Sequence, residues 1–162
     1  MENKKVIIVG SSRSKGNTTK IVEEIATQFN IDVINLSDYK ISYYDYESNN
    51  RDDDFLPLIQ SIIEKYDTLL FATPVYWYSM SGIMKVFFDR FSDLIRIEKE
   101  TGRKLRGKKC AVLSNSHDNE IDLDFYIPFI KSAKYLGMEY IGQQHFNADQ
   151  FRVTDTIELA FI

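Results

Sequence analysis

The sequence predicts an α/β fold: a doubly wound sheet of five parallel strands in the order 2-1-3-4-5, with helices on both faces. Two observations support this prediction. Short apolar runs alternate with stretches in which apolar residues recur at helical spacing. The chain has 162 residues, of which 44% are hydrophobic and 27% charged, the size and composition of one compact domain. We therefore expect residues 1–162 to form a single α/β domain.

The first two predicted strands enclose a helix. Residues 6–9 are four branched apolar residues, which is typical of a strand buried on both faces. Asn17 is the expected cap of the following helix, because its side chain can accept a hydrogen bond from the first turn. Residues 31–36 are predicted to form the second strand. The apolar face of the helix comprises Ile21, Val22, Ile25, Ala26 and Phe29.

The middle of the chain begins with an aperiodic polar and aromatic stretch, residues 37–54, which is longer than a typical connection. A second helix is predicted after it, with the acidic residues 52–54 placed favourably at its positive N-terminal end. Residues 68–73 form the next predicted strand, and either Ser79 or Ser81 begins a third helix. The apolar positions of these helices are Phe55, Leu56, Ile59, Ile62 and Ile63 in the second, and Met84, Phe87, Phe88, Phe91 and Ile95 in the third.

The last third of the chain supplies the remaining strands. Residues 110–113 are an apolar run and form the fourth predicted strand, and residues 138–146 are predicted as the fifth. Between them a helix is predicted over residues 125–136, which ends at Gly137. Residues 147–162 have no clear period, and we expect them to form a last short helix or an arm.

Composition and charge argue against several classes of function. The net charge of -4 lacks the basic surplus that binding to a phosphate backbone requires, so a nucleic-acid partner is not expected. The single cysteine, Cys110, is expected to be an inert buried thiol, and with two histidines it cannot complete a zinc site. No apolar stretch suits a membrane helix and the N-terminus lacks a secretory signal, so we expect a cytoplasmic protein without a resident metal.

Ligands of such sheets bind beyond the carboxyl ends of the strands, where the strand order reverses, and three predicted loops meet there: residues 10–18, 73–81 and 114–119. The first loop reads Gly-Ser-Ser-Arg-Ser-Lys-Gly-Asn-Thr and combines hydroxyl groups and two positive charges with the N-terminus of a helix. It lacks the lysine and the spacing of a P-loop, and also the G-x-G-x-x-G pattern of a dinucleotide site. A phosphomonoester is the expected ligand, and a turn that only caps the helix is the alternative.

The second loop places Tyr76, Trp77 and Tyr78 directly after a predicted strand that ends at Pro74. Three consecutive side chains cannot all face the interior, so at least one is expected to be exposed, where a flat ligand can stack on it. Aromatic residues packed in the core are the alternative. A phosphate site beside an aromatic one describes a ligand with a phosphate tail and a conjugated ring, and FMN has this shape.

At residues 10–18 and 73–90 the chain resembles the flavodoxin-like NAD(P)H-dependent FMN reductases, especially the branch that includes the iron–sulfur flavoproteins. The resemblance implies one flavodoxin-like FMN-binding domain, with FMN as the cofactor and NADPH or NADH as the reductant. It also implies a small-molecule acceptor, such as a flavin, a quinone or a nitroaromatic compound, and a homodimer or homotetramer. Residues 37–54 hold none of the cysteines that ligate the iron–sulfur cluster, so no cluster is expected.

The resemblance further implies the residues of the cofactor site. The FMN phosphate is expected at Ser11, Arg13, Ser14, Gly16, Asn17 and Thr18, and the isoalloxazine ring at Pro74, Val75, Tyr76, Trp77 and Tyr78. In the third loop, Ser114 and His117 can reach the pyrimidine edge of the ring, although a solvated surface histidine is the alternative for His117. Asp89, Arg90 and His145 are expected to be structural.

The chemistry is expected to take place on the flavin, and no catalytic side chain is assigned. Two other functions remain open at this point. A flavodoxin-type electron carrier would use nearly the same residues, although a net charge of -4 is mild for the acidic face of a carrier. A subunit with an empty pocket and buried aromatic residues would serve only as an interaction module.

Overall fold

The computed structural model describes residues 4–154 and 156–162. Its helices and loops are arranged around a central sheet. The strands are β1 (Lys5–Val9), β2 (Asp32–Asn35), β3 (Thr68–Tyr76), β4 (Ser79–Met80), β5 (Lys109–Ser116) and β6 (Glu139–Asn147). Among the described residues, five strands are parallel and lie in the order β2-β1-β3-β5-β6, whereas the short β4 pairs antiparallel with the end of β3. The predicted sheet and its strand order are therefore confirmed, with β5 and β6 as the fourth and fifth predicted strands.

Helices cover both faces of this sheet. In the described part of the chain they are α1 (Asn17–Phe29), α2 (Phe55–Lys65), α3 (Gly82–Asp89), α4 (Phe91–Arg96), α5 (Lys99–Arg103) and α6 (Ile127–Leu136), with single 3₁₀ turns at Leu36–Asp38 and Leu123–Tyr126. None of these helices has both the length and the apolar character of a membrane span. The sequence did not predict the short α5, because this segment has no apolar residues at helical spacing.

The sheet separates two apolar cores, because successive residues of a strand face opposite sides. Ile7 and Val9 of β1 pack in one core with the apolar face of α1, whereas Val6 and Ile8 pack in the other with residues of α2, α3 and α6. Burial on both faces explains why the central strands read as uninterrupted apolar runs.

Strand β3 is longer than predicted. Pro74 does not end the strand, which continues to Tyr76. The pairing of β3 with β1 stops at Ala72, so the missing N–H of Pro74 leaves no hydrogen bond unmade on that side. Trp77 and Tyr78 then turn the chain into β4 with φ angles of 49° and 64°. Two central residues with positive φ are typical of a tight two-residue hairpin.

The predicted third helix is divided into α3 and α4 at Arg90, whose side chain is fully buried among acidic groups. Its Nε donates to Asp93 Oδ2 at 2.8 Å, and its Nη1 and Nη2 donate to the two carboxylate oxygens of Asp53 at 2.5 and 3.2 Å. The neighbouring Asp89 instead forms an exposed ion pair with Lys85. Arg90 therefore has the structural role expected from the sequence.

The loop of residues 37–54 is held by this buried arginine. Arg90 Nη1 also donates to the carbonyl of Ser42 at 3.1 Å, and the ring of Phe55 lies 4.8 Å from the guanidinium carbon. Burial by itself would raise the pKa of Asp53, but hydrogen bonds from Arg90 and from the backbone N–H groups of Ser42 and Phe55 outweigh it, so this pKa lies below its ordinary value. The Arg90–Asp53 pair thus joins the long loop to the junction of α3 and α4.

The described C-terminal residues, 148–154 and 156–162, form an arm without a helix or strand. Ile157 and Leu159 are buried in the same core as α1, and the side-chain amide of Gln28 both donates to and accepts from the main chain of Ile157, at 2.6 and 3.0 Å. Asp155, within this predicted arm, lies outside the described residues. The arm therefore completes the apolar core on the α1 face.

Candidate active site

The loop between β1 and α1 presents hydrogen-bond donors to solvent. Gly16, and not Asn17, is the N-cap residue of α1, because Asn17 already has a helical backbone, and no side chain caps the first turn. This corrects the predicted cap and leaves the N–H groups of that turn available to an anion. Arg13 and Ser14 are exposed in the same loop. Backbone donors, a hydroxyl group and a positive charge together suit a phosphate group.

Gly10 begins this loop at a close contact with α3. A Cβ atom at Gly10 would lie 2.7 Å from Cβ of Met84, so a larger residue would clash with the helix. The Gly10 N–H donates to the carbonyl of Ala72 at 2.8 Å, and the Gly10 carbonyl accepts from Ser81 Oγ at 2.5 Å. The first loop is thereby hydrogen-bonded both to β3 and to the N-terminus of α3.

A second link joins the first loop to β5. Thr18 Oγ1 donates to Asn115 Oδ1 at 2.7 Å, and both residues are buried. The hydroxyl proton of Thr18 is therefore engaged within the protein, which leaves its backbone N–H for a ligand. Ser11 is also buried, and its Oγ accepts from the Arg13 N–H at 3.4 Å. Sequence reasoning missed Asn115, since only the tertiary contact distinguishes it from the serine before it.

The hairpin between β3 and β4 exposes its aromatic residues. The exposed fractions are 45% for Tyr76, 93% for Trp77 and 83% for Tyr78, whereas Pro74 is buried and Val75 is partly buried. Packing of all three aromatic residues in the core, the alternative weighed above, is therefore wrong. Positive φ angles at two residues other than glycine cost free energy, and such strain occurs most often where a protein binds a ligand.

A cavity of about 720 Å³ lies between this hairpin and the segment that follows β5. Its walls combine aromatic, aliphatic and carboxylate side chains, so it offers a flat ring both stacking surfaces and polar edges. The lining residues are Val75, Trp77, Tyr78, Ser116, His117, Asp118, Glu120, Ile121, Asp122, Asp124 and Phe125.

The third loop begins later than predicted, because β5 extends to Ser116. Ser114 is buried within the strand, and its Oγ lies 2.8 Å from Tyr126 Oη and 2.9 Å from His145 Nδ1, so its hydroxyl group faces the protein and not the cavity. His117 is exposed and lines the cavity, with its Nδ1 2.9 Å from Asp149 Oδ2. Of the two residues predicted in this loop, the structure brings only the side chain of His117 to the cavity.

Cys110 lies in β5, away from these groups. Its side chain is buried, and burial raises the pKa of its thiol to about 12. A thiol with such a pKa is protonated at neutral pH and is a poor nucleophile. The cysteine therefore has the inert character expected from the sequence.

Ser81 holds two of the loops together and provides a first test of the arrangement. Its Oγ accepts from the Met84 N–H at 3.1 Å as the N-cap of α3, while it donates to the Gly10 carbonyl. Loss of an N-cap costs about 0.5–2 kcal/mol, so we expect Ser81→Ala to lower the free energy of unfolding in urea by about 1–2 kcal/mol. Ser79→Ala is the matched control, because Ser79 is exposed. Equal losses in the two variants would contradict the role of Ser81.

Comparison with known proteins yields one family. The family described as NADPH-dependent FMN reductase matches residues 3–152. The chain is also 31% identical over 146 residues to YwqN of Bacillus subtilis (strain 168), whose name describes it as an NAD(P)H-dependent FMN-containing oxidoreductase. That match covers 84% of this chain and 80% of YwqN.

Solved structures of similar shape agree with the fold. The Trp repressor binding protein from Bacillus subtilis has a TM-score of 0.69 and 27% identity, over 88% of this chain and 82% of that one. The general stress protein 14 of Treponema denticola, solved in complex with FMN, has a TM-score of 0.64 over 88% of this chain and 85% of that one. Its identity of 18% makes it a likeness of fold alone.

Proposed function

The chain belongs to the family of NADPH-dependent FMN reductases, and from this premise we propose that it takes reducing equivalents from NADPH or NADH and passes them to a small acceptor such as a flavin, a quinone or a nitroaromatic compound. When bound, FMN supplies the ring that accepts a hydride and returns the electrons. One observation carries the proposal. The exposed aromatic hairpin lies beside the loop between β1 and α1, the N–H groups at the start of α1 have no side-chain cap, and Ser81 connects the hairpin to this loop.

We assign the phosphate group of FMN to the loop between β1 and α1. The uncapped first turn of α1 supports this assignment, as does the exposed guanidinium group of Arg13. Thr18 contributes its backbone N–H, because its hydroxyl proton is donated to Asn115, whereas Ser11 Oγ only accepts from the Arg13 N–H and keeps its own proton for the phosphate. The residues assigned to the phosphate are Ser11, Arg13, Ser14, Gly16, Asn17 and Thr18.

We assign the isoalloxazine ring to the cavity beside the hairpin. Trp77 and Tyr78 supply stacking surfaces, and Val75 forms part of the apolar wall. Pro74 and Tyr76 shape the hairpin that carries these side chains, and they belong to the same assigned set. On the opposite wall we assign His117, whereas Ser114 supports this wall from behind through its bond to His145.

The role of the protein in this reaction is to bind and orient two flat molecules against each other. A second ring placed parallel to the first brings the reacting atoms into contact and lowers the entropic barrier to hydride transfer. The exposed faces of the hairpin aromatics leave room for the nicotinamide and the acceptor to occupy the site in turn. No nucleophilic side chain is required, and none has been assigned.

The assembly and the cellular address belong to the same proposal. The resemblance of residues 10–18 and 73–90 to the reductases supports a homodimer or homotetramer, and sedimentation equilibrium measures it. A cytoplasmic location is proposed together with this function, and fractionation of cells tests it.

The reductase activity has a direct test. Protein reconstituted with FMN is mixed with NADPH or NADH without oxygen, and we expect the yellow colour to bleach within seconds to minutes and to return when a quinone is added. Free FMN with NADPH is the control. Bound FMN that stays oxidised would favour an electron carrier, and a protein that takes up no FMN would favour an interaction module.

A further inference from the structure

The carboxyl end of β6 holds the segment that forms one wall of the cavity. Three side chains of this region contact residues 116–119: His145, Asn147 and Asp149. Asn147 Nδ2 donates to the His117 carbonyl at 3.0 Å and to Asn119 Oδ1 at 2.8 Å. The backbone also takes part, because the Ala148 N–H donates to the Ser116 carbonyl at 2.7 Å. The shape of this wall therefore depends on β6, which does not line the cavity itself.

His145 occupies the central position in this contact, with both ring nitrogens engaged. Its Nε2 lies 3.2 Å from the Asp118 carbonyl and 3.1 Å from Ser116 Oγ, and its Nδ1 lies 2.9 Å from Ser114 Oγ. A carbonyl oxygen can only accept, so Nε2 carries the proton that it donates to Asp118. The imidazole thus reaches from the interior of β5 to the backbone of the cavity wall.

The hydrogen-bond directions follow from this assignment. In a neutral imidazole with a proton on Nε2, Nδ1 accepts a hydrogen bond, so the Ser114 hydroxyl donates to it. The Ser114 oxygen then accepts from Tyr126 Oη, which lies 2.8 Å away. A proton on Nδ1 would reverse this chain, because Nδ1 would then donate to Ser114 and Ser114 to Tyr126 Oη, and the Tyr126 proton would lose its acceptor in this group. The neutral ring therefore pairs every proton from Tyr126 to Asp118, and Nε2 donates to the Asp118 carbonyl in either charge state.

We propose that His145 is a positioning residue of the reductase: its neutral imidazole fixes residues 116–119 in the conformation that walls the isoalloxazine ring. The inference rests on the proposed function, because it takes the cavity as the ring site. It assigns a functional role to a residue that neither lines the cavity nor belongs to the phosphate loop. His145 acts through Ser116, His117 and Asp118, which do line it.

The groups around His145 agree with a neutral ring. Tyr126 is linked to it through the Ser114 hydroxyl, and burial raises the pKa of that phenol. Asp118 faces it from the cavity wall, with the His117–Asp149 pair beyond. Burial lowers the pKa of His145 below its ordinary value and outweighs the opposing effect of Asp118. The neutral ring therefore prevails at pH 7.5.

The experiment compares the dissociation constants of FMN and riboflavin, measured by calorimetry, for the wild-type protein, His145→Phe and His145→Gln. At pH 7.5 we expect His145→Phe to weaken both ligands about tenfold, as the loss of a loop-holding hydrogen bond predicts. His145→Gln, whose amide can still donate to Asp118, is expected to recover part of this loss. A phosphate-loop variant would weaken FMN alone, so equal effects on both ligands locate the change at the ring.

Rescue by glutamine separates positioning from a purely structural role. Phenylalanine and glutamine both remove the imidazole, but only the glutamine amide can donate to the Asp118 carbonyl. Ser114→Ala leaves the Nε2 donor of His145 in place and removes the partner of Nδ1, so it is expected to weaken both ligands by less than His145→Phe does.

One set of results would overturn the positioning role of His145, and a different result would overturn the proposed function on which it rests. If wild-type protein binds FMN and both His145 variants bind it within twofold of wild type, or if His145→Gln recovers none of the loss that His145→Phe causes, the positioning role is wrong. If His145→Phe does not fold, His145→Gln and Ser114→Ala still decide the matter. If folded wild-type protein binds no FMN at all, the proposed function itself fails.

Discussion

Replacing Ser14 by aspartate is expected to weaken FMN binding by a hundredfold or more without unfolding the protein. Ser14 is exposed in the loop between β1 and α1, so its side chain can be changed without disturbing the core. A carboxylate about 5 Å from the FMN phosphate would repel it by about 3 kcal/mol at an effective dielectric constant near 20. Each 1.4 kcal/mol corresponds to about a tenfold change in affinity. Titration calorimetry with FMN measures the effect.

Two controls make this result specific to the phosphate. Ser14→Asn has nearly the size of the aspartate variant without its charge, and we expect its FMN affinity to stay within about threefold of wild type, because surface substitutions have small effects. Riboflavin lacks the phosphate group and should bind all three proteins equally. Unchanged FMN affinity in Ser14→Asp would place the phosphate elsewhere, and a matching loss of riboflavin affinity would indicate damage to the fold.

Replacing Arg90 by methionine is expected to lower the free energy of unfolding by about 3–5 kcal/mol, the cost of leaving a buried charge without its partner. Total stabilities are about 5–15 kcal/mol, so this loss is large. Asp53 and Asp93 would both lose the guanidinium group, and the loop of residues 37–54 would lose its contact through Ser42. Urea denaturation of the variant and the wild-type protein measures the difference.

The neighbouring residue provides the matched control. Asp89 pairs with Lys85 on the surface, so Asp89→Asn is expected to change the free energy of unfolding by less than about 0.5 kcal/mol. Combining Arg90→Met with Asp53→Asn and Asp93→Asn removes the unpaired charges and should recover part of the loss. A loss below about 1 kcal/mol in Arg90→Met alone would show that the buried cluster is not what holds the loop.

The positions of the strands could be predicted because local sequence carries them, and their order followed from the doubly wound fold expected of a chain of this length. Residues 6–9, 68–73 and 110–113 are short apolar runs, and the helical periods between them imply right-handed parallel crossovers. The boundaries were less accurate where tertiary contacts override local preference. Pro74 suggested a strand end, yet the strand continues because its neighbour β1 has already ended. The division of the third helix at Arg90 depends on acidic partners, one of which lies in a distant loop.

The candidate site likewise has features that the sequence predicts and features that only the structure shows. The composition of residues 10–18 and the consecutive aromatic residues Tyr76, Trp77 and Tyr78 by themselves indicate a phosphate and a flat ring. The orientation of individual hydroxyl groups could not be predicted. Ser114 and Thr18 were expected at the cofactor, and the structure turns both side chains towards partners within the protein.

The amino-acid sequence by itself determined the doubly wound fold, the edge of the sheet where a ligand is expected and the chemical character of the loops there, because periodicity, turn residues and composition are local properties of the chain. Only the tertiary structure decided that Ser81 joins two of these loops, that Asn115 meets Thr18, and that His145 supports the cavity wall. Each of these contacts joins residues far apart in the sequence, and a hydrogen bond between such residues depends on distances and angles that exist only in the folded chain.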